Sequence, residues 1–325
     1  MAAEDDDEAA PDEAAAANET RSCRVDGAAH GQRLDKVLVA LAPEFSRSHL
    51  QSLVHGGHVR LDGLAVTLPA RRVHAGQQLL LELVPTAESR AFTPQPMALA
   101  VVYEDADLLV LDKPAGLVVH PAAGNWSGTL LNGLLAHHAA AAALPRAGIV
   151  HRLDKDTSGL MVVGKTLAAV TGLVRAIAAR EVQRIYLALA TGAVTPAVRT
   201  VDAPIGRDPA VRVRMKVLAG GKPARTDLRC LRTHGGVSAV ECTLHTGRTH
   251  QIRVHLAHIG HPLVADRLYG GAPALGLQRQ ALHAARLRFV HPVGGQVLAF
   301  EAAPPADFAA AWALVMAGPA GGRGA

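Results

Sequence analysis

Residues 151–159 read HRLDKDTSG, which packs one His, one Arg, one Lys, two Asp, a Thr and a Ser into nine positions. Apolar residues bracket this run, with Ile149 and Val150 before it and Leu160 to Val163 after it. A polar loop anchored between two buried strands can hold a reactive group in a fixed place. Arg152 and Lys155 flank Asp154. Neighbouring cations favour a carboxylate, so Asp154 is expected to stay ionised and to serve as a nucleophile or base. The same residue types also suit a loop whose Asp and Ser only accept backbone N–H groups. The residues alone leave both readings open.

A second polar run, TGRTHQIRVHLAHIGHP, spans 246–262. Arg248, Thr249, His250, Gln251 and Arg253 crowd the start of a helical pattern, where N–H groups and arginines attract anions. His250, His255, His258 and His261 invite comparison with a metal site. Their spacing is not the H-E-x-x-H pattern, and no acidic residue follows until Asp266. No metal is expected. No phosphate-binding or dinucleotide-binding glycine motif occurs either, so no cofactor is expected.

These residues need a scaffold, and 325 residues with 49% hydrophobic content allow two cores. Aromatic residues are 3% of the chain, too few for a protein that stacks many bases on aromatic platforms. No window approaches a membrane span of about 20 apolar residues. The first ten residues, MAAEDDDEAA, lack the apolar core of a secretory signal. Cys23, Cys230 and Cys242 are odd in number and show no C-x-x-C spacing, which argues against a disulfide framework and suits a reducing compartment. A soluble cytoplasmic protein is expected. Residues 1–20 hold eight acidic residues and no Lys or Arg, leaving 33 basic against 20 acidic residues in the remainder, a formal +13. Such a body suits a polyanionic partner.

The acidic, Ala-rich residues 1–20 read as a disordered tail, and 318–325 as a flexible end. Between them, PTAESRAFTPQP (85–96) reads as a linker separating a small module at 21–84 from a large one at 97–317. In the small module, Leu34, Val37, Leu38 and Leu41 form a helical stripe that Pro43 stops. Ser46 can cap a second helix carrying Leu50, Leu53 and Val54. Residues 56–66 read as a hairpin turning at Asp62-Gly63, and 77–84 as a further strand. In the large module, strands are expected at 99–105, 108–114, 117–120, 182–192 and 237–246, on both sides of the 151–159 loop, and toward the end of 281–292. Helices are expected over 128–138, 167–180 and the run after 247. Strands dominate without a regular βαβ rhythm, so the fold class is α+β with a mixed sheet.

The small module resembles the S4 RNA-binding module in R-L-D at 33–35, S-R-S at 46–48 and V-R-L-D-G at 59–63. That likeness implies a compact unit presenting basic side chains, Arg33 and Arg47 among them, to structured RNA. HRLDKDTSG, R-I-Y at 184–186, GRTHQIRVH at 247–255 and ALHAARLRFVHP at 281–292 closely resemble, in order, the motifs of the RluA-type pseudouridine synthases. DKP at 112–114 and LVVHP at 117–121 add likeness to the branch acting on large-subunit ribosomal RNA, which also begins with an S4 module. The resemblance covers about 22–317. It implies an isomerase that converts uridine in an rRNA stem-loop to pseudouridine without a cofactor, on free rRNA or a pre-ribosomal particle, with a monomer as the default state. It makes Asp154 the catalytic carboxylate, Tyr186 a catalytic ring that packs on the base and is a candidate for helping to deprotonate C5, and Arg253 the partner of Asp154. Arg152 is implied to hold the flipped nucleotide and Leu282 to line the pocket, with Arg184, Arg248, His250 and Gln251 also facing substrate. Arg184 stands where Lys is common in the family. A non-catalytic S4-type assembly factor and a hydrolytic nucleosidase or metal phosphohydrolase are the rival readings, and which uridines are modified is not encoded in any motif.

Overall fold

A computed structural model of the chain describes residues 19–84, 91–122 and 124–318. The chain divides into two compact units, 1–90 and 91–325. In the first, β1 (Glu19–Arg24), α1 (Leu34–Leu41), α2 (Arg47–His55), β2 (Val59–Leu61), β3 (Leu64–Ala65) and β4 (Gln78–Leu83) follow one another. The strands form an antiparallel sheet in the order β1-β4-β2-β3. Leu34 and Leu38 of α1 and Leu50, Leu53 and Val54 of α2 are buried against Val59, Leu61, Leu79 and Leu81. The Ser46 hydroxyl accepts from the His49 amide at 3.2 Å and so starts α2 where the cap residue predicts. Asp62 and Gly63 take φ of 50° and 80°, the backbone a two-residue hairpin turn requires.

The second unit is α+β. Its elements are β5 (Val101–Glu104), β6 (Leu108–Lys113), α3 (Leu130–His137), β7 (Ser158–Gly164), α4 (Leu167–Ala178), β8 (Gln183–Thr191), β9 (Val198–Asp202), β10 (Ile205–Arg207), β11 (Met215–Val217), β12 (Arg225–His234), β13 (Val237–Leu244), α5 (Gln251–His258), β14 (Leu282–Val290), β15 (Val297–Glu301) and α6 (Ala306–Ala317). Nine strands form one sheet, ordered β5-β6-β7-β14-β8-β13-β12-β9, with β15 also paired to β14. The pairs are antiparallel except β7 with β14, so the sheet is mixed as expected. The apolar runs of β6 and β7 are continuous because both faces are covered. Leu109, Leu111, Met161 and Val163 join the core on one face, and Leu108, Val110, Leu160 and Val162 join a second core with Leu173 of α4 on the other. Gly159 sits where β7 meets β14. A Cβ there would collide with the Ala284 carbonyl oxygen, and its φ of 112° suits glycine.

Several expectations change. Glu19 and Thr20, assigned to the tail, pair with Leu83 and Glu82 in β1, because the edge of β4 takes a partner strand there. Residues 1–18 of that tail lie outside the described residues, as do 85–90 of the linker and 319–325 of the C-terminal end. The rest of the linker packs onto α3, where the Asn132 amide donates to the Ala91 and Thr93 carbonyls and the Gln95 N–H donates to the Asn132 carbonyl. LVVH at 117–120 is not a strand. The backbone curls there instead, so that Leu130 and Leu131 donate to the Val118 and Val119 carbonyls and start α3. Of the apolar run before the 151–159 loop, Ile149 makes a single bridge to Val163. All three cysteines are free.

Candidate active site

Asp154 lies in the loop that feeds β7, and the surrounding backbone is pinned from several sides. Lys113, at the end of β6, is 1% exposed. Its ammonium donates to the carbonyls of Pro114 (2.7 Å), Leu117 (2.9 Å) and Lys155 (2.9 Å). Burial pushes its pKa down to about 8, against the attraction of Asp156 and Asp154. Arg279 donates to the Asp156 carbonyl, Gln280 reaches the Thr157 hydroxyl, and Ser158 shares a hydrogen bond with His283. Asp156, Thr157 and Ser158 therefore build the loop, and Asp154 is left facing the cavity.

The cation in contact with Asp154 is Arg253, from the first turn of α5, rather than the sequence neighbours Arg152 or Lys155. Arg253 Nη1 donates to Asp154 Oδ2 at 3.0 Å. Its Nε and Nη2 donate to Asp266 at 2.7 and 2.8 Å. The guanidinium carbon also lies 5.0 Å from the centre of the Tyr269 ring. Burial opposes the charge on Arg253, but the hydrogen bonds and charges of Asp266 and Asp154 outweigh it and hold its pKa above the ordinary value. His250 caps α5 in a left-handed conformation, φ 58°. Its Nδ1 pairs with the Tyr269 hydroxyl at 2.9 Å, and its Nε2 stands 3.8 Å from Asp154 Oδ1. Burial lowers its pKa despite Asp154, which favours a neutral ring.

From β8, Tyr186 and Arg184 reach the same cavity, and Leu282 enters it from the first position of β14. Tyr186 and Arg184 are each 5% exposed. Burial pushes the Tyr186 phenol up to about 12. The cavity measures about 830 Å³ and is also lined by Arg146, Arg152, Arg180 and Arg248. Among the described residues, Asp154 is the one acidic residue in its wall. An RNA strand would meet a basic rim around a single carboxylate.

Not every expected residue faces outward. The Gln251 amide holds its own turn together. Its oxygen accepts from the Arg248 N–H and the Thr246 hydroxyl, and its nitrogen donates to the Arg225 carbonyl and the Thr226 hydroxyl. In the first unit, Arg33 and Arg47 both donate to Asp35, as does Gln51. Asp35 is fully buried. The Arg33 hydrogen bonds foremost hold its carboxyl well below the usual carboxylate range. Both arginines remain partly exposed but are fixed from behind by that carboxylate. The histidines of 250–261 do not converge. His255 bonds Thr226 and the Ala203 carbonyl, and His261 bonds the Thr191 carbonyl. Sequence reasoning gave Lys113, Asp266 and Tyr269 no role in this site. The available signals were that Lys113 lies in the DKP run at 112–114 and that Asp266 is the first acid after the histidine run.

Comparison with known proteins identifies the family. A family model described as RNA pseudouridylate synthase matches residues 107–258, and one described as S4 domain matches 32–79. The chain is 50% identical over 290 residues to a ribosomal large subunit pseudouridine synthase D of Neisseria meningitidis, covering 85% of this chain and 77% of that protein. It is 49% identical over 291 residues to the protein of that name from Pseudomonas aeruginosa, covering 86% and 90%. Among solved structures it is similar to human RNA pseudouridylate synthase domain containing 1, at 28% identity and a TM-score of 0.50, covering 68% of this chain and 86% of that one.

Proposed function

The chain belongs to the RNA pseudouridylate synthase family, and we propose that it isomerises specific uridines to pseudouridine in the RNA of the large ribosomal subunit. The observation that carries this reading is Asp154, the sole carboxylate among the described residues of a basic cavity, fixed by Arg253 at 3.0 Å beside Tyr186 and Leu282. Its relatives of about half-identical sequence carry the rRNA enzyme's name.

In the reaction the N1–C1′ bond breaks, the base turns over, C5 bonds to C1′, and the C5 hydrogen leaves as a proton while N1 gains one. Breaking a glycosidic bond builds positive character at the sugar, which a fixed carboxylate stabilises. Asp154 supplies that carboxylate, whether it attacks C1′, adds to the base or takes the C2′ proton. Arg253 orients it. Tyr186 offers a ring face for the base and keeps its hydroxyl proton, because its pKa near 12 leaves the phenolate scarce at neutral pH. Leu282 packs the other side of the pocket, and Arg152, exposed on the rim, holds the extruded nucleotide. Arg184, Arg248 and His250 face the substrate, while Gln251 shapes the turn that presents them. The net change is an isomerisation without redox or phosphoryl transfer, so its chemistry requires no cofactor.

The first unit would dock a stem-loop through Arg33 and Arg47, whose anchoring on Asp35 presents them in a fixed direction. Action on rRNA or a pre-ribosomal particle places the enzyme, a monomer by default, in the cytoplasm. No helix among the described residues is long and apolar enough to cross a membrane. Mapping pseudouridines in total RNA from cells with and without the gene tests the reading. Large-subunit positions that lose pseudouridine support it, and an unchanged map contradicts it.

A further inference from the structure

Three Lys or Arg side chains of the second unit are buried among the described residues: Lys113, Arg184 and Arg253. Lys113 is paired with three carbonyls, and Arg253 with Asp154 and Asp266. Arg184 differs. Its side chain makes no hydrogen bond or ion pair among the described residues, and its Nε is enclosed without a partner. A buried guanidinium lacking a counter-charge is costly, and proteins keep one where a ligand completes it.

The surroundings say what that ligand carries. Beside Arg184 lies His151, whose Nε2 accepts from the Val162 N–H at 3.0 Å, so that its ring proton sits on Nδ1. That Nδ1 is also enclosed without a partner. Burial, then the charge of Arg184, push the His151 pKa down to about 3, so the ring stays neutral and adds a donor rather than an acceptor. Gly247 packs beside the end of the guanidinium: a Cβ there would come within 2.9 Å of Arg184 Nη1, so the absence of a side chain leaves room for the guanidinium at the cavity wall. Arg184 is two positions before Tyr186 on β8 and therefore shares its face.

We propose that Arg184 is the buried binding site for one phosphodiester of the RNA strand, the linkage flanking the uridine whose base packs on Tyr186. A neutral base carbonyl would satisfy one N–H and leave the charge uncompensated. A phosphodiester brings both the opposite charge and two oxygens matched to the guanidinium fork. Insertion of the target nucleotide then completes the cavity electrostatically, and empty-site burial of Arg184 is relieved by substrate alone. The proposal rests on the pseudouridine synthase reading of the same cavity.

The test uses the full-length enzyme and a stem-loop RNA containing a mapped target uridine, with neutral methylphosphonate linkages placed one at a time around it. For the wild type, one linkage next to the target should weaken binding about ten- to a hundred-fold, the usual size of a charged hydrogen-bonded contact. Arg184→Met should weaken binding by a similar factor and lose its sensitivity to that linkage. Its log Kd against log salt slope should fall by about 0.7–0.9. Its saturating single-turnover rate should fall by a smaller factor than its affinity, and Arg184→Lys should recover part of the affinity. The proposal is overturned if no single linkage matters to the wild type, a result independent of how the variant folds. It is also overturned if Arg184→Met binds normally while its saturating rate collapses, which would make Arg184 a partner of the base or of Asp154. Absence of pseudouridine from the wild type on every RNA would instead remove the functional reading itself.

Discussion

Arg253 grips Asp266 with two nitrogens, Nε at 2.7 Å and Nη2 at 2.8 Å, and both side chains are buried. One nitrogen, Nη1, is left to meet Asp154 at 3.0 Å. The guanidinium is thus fixed by a carboxylate outside the cavity wall, and the fixed fork in turn orients the carboxylate inside it. Asp266 also offsets the charge of Arg253, so Asp154 receives direction without the full attraction of an unshared cation.

Asp266→Asn removes that anchor while keeping the side-chain shape. The saturating single-turnover rate should fall by about ten- to a hundred-fold with RNA affinity little changed, and stability should drop by about 3 kcal/mol, the lower end for breaking a buried pair. Because Asp266 acts through Arg253, adding Asp266→Asn to Arg253→Met should cost little further rate. Additive losses in that double-mutant cycle would detach Asp266 from the site.

Arg253→Met separates an orienting residue from an RNA-backbone contact. The expected result is a large fall in saturating rate with an unchanged Kd and salt slope, since all three guanidinium nitrogens are already bonded to carboxylates. Weaker binding, a salt slope smaller by about one and a near-normal saturating rate would instead mark a phosphate contact.

Tyr186→Phe tests the role of the hydroxyl. With the phenol pushed up to about 12, a phenolate is too scarce at neutral pH to be the working form. The Phe variant should therefore keep its rate within about ten-fold, while Tyr186→Leu, which removes the ring face, should lose far more. A Phe variant as inactive as the Leu variant would assign the hydroxyl a proton-transfer role.

Lys113 carries a pH signature. Its folded pKa, near 8, lies below the 10.5 of an exposed lysine. Between those values the unfolded chain holds a proton that the folded chain lacks, so this residue's contribution to stability rises with pH from about 8 to 10.5 and is flat below 8. Lys113→Met leaves three carbonyls without a donor and should destabilise the protein at every pH. The stability gap between wild type and variant should widen from pH 8 to 10.5 in denaturant titrations. A constant gap across that window would mean Lys113 titrates as an ordinary lysine.

Much of this was legible from the sequence where one local rule decided the outcome. Continuous apolar runs marked β6 and β7, the helical stripe marked α1, and Asp62-Gly63 marked a turn. LVVH at 117–120 failed because β propensity cannot register a buried lysine drawing the chain back on itself. β12, RTDLRCLRTH, alternates with charged residues because one of its faces meets solvent, so it offers a weak strand signal. The site was legible in Asp154, Tyr186, Arg253 and Leu282, which lie in recognisable motifs. Asp266 lies in none, and Asp35, although part of the R-L-D run at 33–35, was not legible as the anchor of Arg33 and Arg47, since nothing local tells a buried, paired acid from an exposed one. Both became visible only once their arginines had positions.

The central claim is that the Asp154 carboxylate carries the isomerisation, and Asp154→Asn tests it most directly. Asn keeps the shape and an oxygen for Arg253 but loses the charge and nucleophilicity. The measurement is tritium release under single-turnover conditions from RNA labelled at uridine C5, with RNA binding followed in parallel. The expected result is release at background level with an affinity within a few-fold of the wild type. Release at a rate comparable to the wild type would contradict the account.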